Sequence, residues 1–336
     1  MPVISISEAE RYASDALQSA GFAKRAADST AKALVLAEAQ GLSSHGLTRI
    51  SQYISHLNKG RIDPTAEPSV LKRNHACVVV DAKCGLAFPA CEVAIDEGIR
   101  LARKFGISFS AVVQSHHAGV MADHLRRPAE AGLVGLGFSN APAVMPTAGG
   151  RRPVFGTNPI AAAFPRSSAP PLLIDLSLSE VTRGTLVAAA KSGKQIPLGW
   201  AVDSNGVPTT DPQAALQGSM LAIGATTSGK GAMLAMMIEL MASVLIGASF
   251  SFEASSFFVD SGNVPRLGHS FIFVDPNALA GSESYFDRLE LFITELLNDD
   301  HVRLPGIRRE MQFQKAISEG IEIQESVLQS FGAKRF

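Results

Sequence analysis

The chain has 336 residues, 46% of them hydrophobic and 18% charged, with a formal net charge of −1. That length accommodates two or three domains, and the near-neutral balance supplies no basic face for nucleic acid or an anionic membrane. Charge below the usual share of about 25% points to extensive buried surface, inside a large core or against another subunit. Cys77, Cys84 and Cys91 fall seven apart, a spacing that fits neither a metal knuckle nor a disulfide framework. They read as small packed hydrophobes in a reducing compartment. The opening "MPVISISEAERYASDAL" lacks the basic, apolar and small-residue zones of a secretory signal, so a cytoplasmic location is expected.

The elements follow in chain order. "ISEAERYASDALQSAG", opening at Ser7 and stopping at Gly21, and the Ala-rich "AKRAADSTAKALVLAEAQGL" have the periodicity of amphipathic helices. "RISQYISHLNKGRIDP" spaces Ile50, Tyr53, Ile54 and Leu57 for a third helix, ending at Gly60. "ACVVVDA" reads as a strand, and a long helix closed by Gly106 follows. "ISFSAVVQ" is a buried strand running into "SHHAGVMADHLRRPAEAG". That order predicts His116, His117 and Gly119 at a helix N-terminus, where free amides favour an anion. Strands are expected at "LVGLGFSN", "IAAAFP" and "PLLIDLS", with the turn-rich "MPTAGGRRPVFGTNP" among them. Helices follow at "SEVTRGTLVAAAKSGK" and after the Asp-Pro turn of "VPTTDPQAAL". "GKGAMLAMMIELMASVLIGASF" is apolar enough to suggest a membrane span, but Glu239 lies within it and Lys230 opens it. A charge mid-span is expensive in lipid, so a buried core helix is predicted. The strand "HSFIFVDP", the helix "ESYFDRLELFITELLND" and a last helix in "GIEIQESVLQSFGA" complete the chain. Intermixed strands and helices give an α/β class with mixed α+β layers.

Several chemistries are missing. No G-x-G-x-x-G joins an early strand to a helix, and "GLVGLGF" reads as close strand packing instead. "TTSGKGAM" lacks the first glycine and the Ser/Thr of a phosphate loop, and no G-x-S-x-G elbow occurs. His116 and His117 have no second ligand at helical spacing, because His124 is seven or eight positions on, so no metal is expected. "GLSSHGLTRI" is different. It gathers Ser44, His45 and Arg49, a proton carrier beside a cation, suited to a small substrate whose carboxylate adjoins its reacting centre. The same stretch also reads as a plain helix start with Ser43 or Ser44 as N-cap.

Taken together, "SSHGLTRI", "YISHLNKGRIDP", "SHHAGVMADHL", "FGTNPIAAAFP", "IDLSLSEVTRG", "GWAVDSNGVPTTDP" and "LPGIRRE" resemble the malate/L-lactate dehydrogenase family, unrelated in fold to the Rossmann dehydrogenases. The blocks run in family order from about residue 7 to 330. The resemblance implies a non-Rossmann nicotinamide-binding fold with an N-terminal helical and substrate region over 1–105, a cofactor domain over 106–280 and a C-terminal helical region over 281–336 packing back on the first. It implies a homodimer, and NADP as cofactor with NAD as the alternative. By the same analogy His45 is the acid/base, Ser44 orients it, and Arg49 holds the substrate carboxylate. Asp175 is a charge-relay candidate for His45 or a structural cap, and Thr157 a substrate or nicotinamide contact or a plain turn residue. His117, Ala118, Gly119, Val120 and Met121 resemble the segment whose backbone meets the cofactor phosphates. Leu176 and Ser177 resemble a cofactor-contacting strand end. Lys230 matches a family lysine, although Ser228 and Gly229 replace the Gly-His usually preceding it. Arg303, Leu304, Pro305, Gly306, Ile307, Arg308 and Arg309 resemble a late loop returning to the cofactor. Within the family the resemblance is nearest to the cyclic imino acid reductases. It implies NADPH-dependent reduction of Δ1-piperideine-2-carboxylate and Δ1-pyrroline-2-carboxylate, with 2-hydroxy acid dehydrogenation as the alternative. A scaffold that has lost activity is the non-enzyme reading, opposed by the presence of Ser44, His45 and Arg49.

Overall fold

The computed structural model describes residues 2–330. A short strand β1 (Val3–Ile4) leads into α1 (Ile6–Ser19). The cap is Ser5 rather than Ser7: its hydroxyl accepts from the Glu8 amide while the Glu8 carboxylate accepts from the Ser5 amide. α2 (Lys24–Ala39) packs on α1, and Ala13, Leu17, Ala27, Ala31 and Leu34 share one buried cluster. After α3 (Arg49–Asn58) come β2 (Ser69–Asn74), β3 (Cys77–Asp81), α4 (Ala87–Phe105) and β4 (Ile107–Ser115). Gly106 ends α4 at φ 82°, a left-handed C-cap that suits glycine.

The next segments are α5 (Arg126–Glu130), β5 (Val134–Ser139), β6 (Ile160–Phe164), β7 (Leu172–Leu176) and α6 (Arg183–Ser192). Then follow β8 (Ala201–Val202), α7 (Pro212–Gln217), β9 (Ser219–Met220) and α8 (Lys230–Glu239). β10 (Leu267–Val274), α9 (Ser282–Leu297), α10 (Ile307–Glu319), β11 (Ile321–Glu322) and α11 (Glu325–Ser330) complete the chain.

Seven strands form one mixed sheet in the order β2-β3-β4-β10-β5-β6-β7. Only β3 and β4 pair in parallel, across the crossover helix α4. The class is therefore mixed α/β. β4 is buried along most of its length, Ser108, Ser110 and Ser115 included, because it lies inside the sheet and is covered on both faces. In β5 the glycines make room: a Cβ on Gly137 would meet the Met121 sulfur at 3.0 Å, and one on Gly135 would meet Leu125 at 3.2 Å.

Several expectations are corrected. Residues 116–120 form no helix start; a 3-10 turn begins only at Met121 and passes into the single turn of α5. The expected core helix from 229 to 250 is α-helical only to Glu239 and continues as a π turn over Leu240–Val244. It buries Ala232, Ala235, Ile238 and Ala242 but exposes Met233, Met236, Met237, Leu240 and Val244. Its Glu239 carboxylate is buried, accepting from the side chains of Asn140, Asn158 and Ser251 and from the Ser251 amide. Among the described residues no helix is long and apolar enough to cross a membrane. In the last expected helix, 320–333, strand β11 comes first and α11 starts at Glu325; positions 331–333 lie outside the described residues. α10 has no counterpart in the sequence reading.

The boundary expected between 105 and 106 falls inside a packing unit, since α4 lies against β3, β4 and β10. At the other end β11 pairs with β1, α10 packs on α2, and Ala316, Ile321 and Leu328 enter the N-terminal helical core.

Candidate active site

The Ser44–Arg49 stretch is not one helix. Residues 43–45 make a 3-10 turn, and α3 starts at Arg49 with Thr48 as its N-cap position. Neither Ser43 nor Ser44 caps a helix. Glu38 at the end of α2 shapes the turn, accepting from the Ser43 hydroxyl at 2.5 Å and the Leu47 amide at 2.9 Å. A Cβ on Gly46 would lie 2.2 Å from a Glu38 carboxylate oxygen, so any larger residue there would displace the carboxylate that shapes the turn. The fold of the turn, not helical periodicity, joins the chemical groups. Arg49 Nε donates to the Ser44 carbonyl at 2.6 Å, and the Ser44 hydroxyl lies 3.1 Å from His45 Nδ1.

α3 then presents a polar edge. Gln52 accepts from Arg49 Nη1 at 2.7 Å and donates to the Phe257 carbonyl. Tyr53 shares a 2.7 Å hydrogen bond with His117 Nδ1. Arg61, fully buried just beyond α3, donates to the carbonyls of Ser255, Ser256, Val259 and Asn263. These contacts pin the 250s loop, so Phe257 packs on the rings of His116 and His117 at 4.9 and 5.5 Å. Phe258 lies at the mouth, with the guanidinium carbons of Arg49 and Arg183 at 5.8 and 5.5 Å from its ring centroid.

Two cavities meet at His45, one of about 420 Å³ and one of about 300 Å³. The larger is lined by Arg49, Gln52, Thr157, Arg183 and Phe258. The smaller is lined by the Ala118–Met121 segment, Asn140, Asp175 and Arg309. Ser44, His117, Thr157 and Ser177 face both. In the smaller lobe Gly119 sits at φ 70°, and a Cβ on it would come within 2.9 Å of Phe88. Glycine thus lets the backbone itself form the wall.

The charges that act on His45 are the cations Arg49 and Arg309. Burial, with Arg49 and Arg309 nearby, pulls the His45 imidazole down to about 4, so it is neutral at pH 7. Burial and then Arg49 hold His117 well below the ordinary histidine range. Burial also lowers the Arg49 and Arg183 guanidiniums, and it raises the Tyr53 phenol well above its usual range. None of the residues lining the larger lobe is an aspartate or glutamate.

The fold thus gathers Ser44, His45, Arg49, Thr157, Asp175, Ser177, Arg309 and the 117–121 segment around two joined lobes. Asp175 pairs with Arg309 at 2.9 Å, and the hydrogen-bonding partner of His45 is Ser44. A direct Asp175–His45 relay is therefore not the arrangement seen. Leu176 points outward, and Lys230 sits exposed at the start of α8. Leu304, Pro305, Gly306 and Ile307 line a separate cleft of about 40 Å³, and Arg303 and Arg308 are exposed. Of the late loop, only Arg309 reaches the lobes. Gln52, Tyr53, Phe257, Phe258 and Arg183 escaped sequence reasoning as site residues. The one signal for Arg183 was its cationic side chain inside the quoted block "SEVTRG".

Residues 4–331 match the malate/L-lactate dehydrogenase family. The chain belongs to that family. Among its relatives, a (2R)-3-sulfolactate dehydrogenase (NADP(+)) from Chromohalobacter salexigens is 43% identical, over 98% of this chain and 97% of the relative. A Δ1-pyrroline-2-carboxylate/Δ1-piperideine-2-carboxylate reductase from Pseudomonas syringae pv. tomato is 36% identical, over 92% and 89%. The crystal structure of a Δ1-piperideine-2-carboxylate reductase from Pseudomonas syringae superposes with a TM-score of 0.92 at 33% identity, covering 98% of this chain and 99% of that one. As a malate/L-lactate dehydrogenase family member the chain is an oxidoreductase, and its relatives include both C–O and C–N enzymes.

Proposed function

We propose that this protein interconverts a 2-hydroxy acid and its 2-oxo acid with NADP, using His45 as the proton carrier and Arg49 as the carboxylate anchor. The observation that carries the reading is the place of His45, where an arginine-walled cavity meets a backbone-walled one. The smaller lobe suits a nicotinamide cofactor. Glycine-dependent backbone at 118–121, the hydroxyls of Thr157 and Ser177 and the Arg309 cation would hold it. NADP is the cofactor in the name of the Chromohalobacter salexigens relative. When bound, NADPH supplies the hydride to C2.

The protein's own residues do the rest. Arg49, fixed through Ser44 and Gln52, grips the carboxylate with its remaining donors. His45, neutral in the free enzyme, accepts the hydroxyl proton in oxidation. In reduction it must arrive protonated, and an anionic substrate offsets the nearby cations that depress its basicity. Ser44 holds Nδ1, which leaves Nε2 for the substrate oxygen.

Reduction of cyclic imino acids is the second reading, favoured by the 0.92 TM-score to the Pseudomonas syringae reductase. An imine is reduced as its iminium cation, and an arginine-rich lobe without an acid disfavours that cation. We also infer a homodimer. Met233, Met236, Met237, Leu240 and Val244 make an exposed apolar stripe along α8 and its π turn, of the kind that marks an association surface. The test of the function is a substrate panel followed at the nicotinamide absorbance with NADPH and NADH. Turnover of 2-oxo acids above Δ1-pyrroline-2-carboxylate is expected; turnover of the imine alone would overturn the reading.

A further inference from the structure

The larger lobe contains more positive charge than one carboxylate needs. Arg49 has two of its nitrogens committed to Ser44 and Gln52. Arg183, the first residue of α6, is half-buried, and its Nε is buried with no hydrogen-bond partner. Neither guanidinium is paired with an acid among the described residues, and no acid lines the lobe. Leaving such a donor desolvated and unmatched is costly unless a ligand completes it. The Phe258 ring lies within reach of both cations, and both line the same lobe. The start of α6 adds its own positive end, with Gly184 in the wall. Pro142, Val144 and Met220 close the remaining sides with apolar surface, so the lobe suits a short molecule with charge at both ends.

We propose that Arg183 selects substrates that carry a second anionic group on C3, a carboxylate or a sulfonate, in addition to the carboxylate on Arg49. The inference rests on the 2-oxo acid reading above and names its substrate class. The hydride and proton steps at C2 are unchanged; Arg183 touches only the far end of the substrate.

The experiment compares kcat/KM for oxaloacetate, 3-sulfopyruvate and pyruvate, with NADPH and the full chain, in the wild type, Arg183→Met and Arg183→Lys. The wild type should favour at least one dianion over pyruvate by about ten- to a hundredfold, the worth of one charge-assisted contact. Preference for oxaloacetate or for 3-sulfopyruvate distinguishes carboxylate from sulfonate. Arg183→Met should collapse the dianion-to-pyruvate ratio mainly through KM, and Arg183→Lys should restore part of it. Equal losses on all three substrates would mean a structural role, and no preference in the wild type would mean that Arg183 reads nothing; either overturns the proposal while the 2-oxo acid reading stands. If none of the three is reduced while Δ1-pyrroline-2-carboxylate, added as a fourth substrate, is, the underlying reading falls as well.

Discussion

At the residue scale, the short turn between Glu38 and Arg49 holds the groups to which the proposed chemistry is assigned. Its Gly46 is held against Glu38, and its arginine is locked before any ligand arrives. Arg49→Lys should raise KM for the 2-oxo acid by about tenfold or more, because an ammonium cannot reproduce a forked grip. Steady-state kinetics check this, with kcat changing less than KM. The pH dependence follows from the depressed His45. Oxidation needs the neutral imidazole, so its kcat/KM should stay level from pH 8 down through 6.5 and fall only as pH nears 4. Reduction needs the protonated form, so its kcat/KM should decline steadily as pH rises. Arg49→Met removes one of the charges behind the depression and should move the oxidation limb upward. Ser44, His45 and Arg49 were legible in the sequence because reactive residue types cluster there in six positions. Gln52 and Phe257 were not, since they meet across 205 residues and no local pattern records that contact.

At the element scale, two buried polar assemblies hold the site's supports. In the first, α8 is tied inward by Glu239, whose carboxylate serves Asn140, Asn158 and Ser251. Glu239→Ala strands those donors and should cost about 3 kcal/mol or more, lowering the unfolding midpoint by about 4 °C or more for a chain of this length. The sequence offered Glu239 only as an objection to a membrane span; its partners lie in three other segments. In the second, Arg61 donates to His56 Nε2, so His56 Nδ1 carries the proton and donates to His116 Nε2 at 3.0 Å. Burial holds His56 down at about 4 and His269 at about 3. The unfolded chain takes up protons near 6.5 while the folded one does not. Stability is therefore fully present above pH 6.5 and is lost as pH falls from there toward 4. Thermal unfolding should show the midpoint dropping across that window, and a midpoint level down to pH 4.5 would contradict it. The helix pattern read well wherever apolar residues faced one side. It misled at 229–250, where apolar residues on every face read as core although one face is open.

At the scale of the whole molecule, the ends of the chain close on each other. β1 pairs with β11, α10 lies on α2, and Arg126 ties Asp123 on one side to Glu310 on α10. The strand order β2-β3-β4-β10-β5-β6-β7 was not legible from the sequence, because inserting β10 between β4 and β5 spans more than 120 residues. The mixed α/β class was, from alternating strand and helix periods. The exposed methionine stripe on α8 belongs to this scale. Light scattering should return about twice the chain mass, as burial of an obligate interface of about 2,000 Å² or more would require. Met237→Lys, placing charge on the stripe, should shift the protein toward monomer.

The proposed mechanism turns on His45 carrying the proton between substrate and solvent beside a bound nicotinamide. The direct measurement is kcat for NADPH-dependent reduction of the preferred 2-oxo acid by His45→Ala, alongside NADPH affinity by fluorescence titration. A loss of about 10²–10⁴-fold in kcat is expected, with cofactor affinity nearly unchanged. Turnover by His45→Ala close to that of the wild type across the pH range would contradict it.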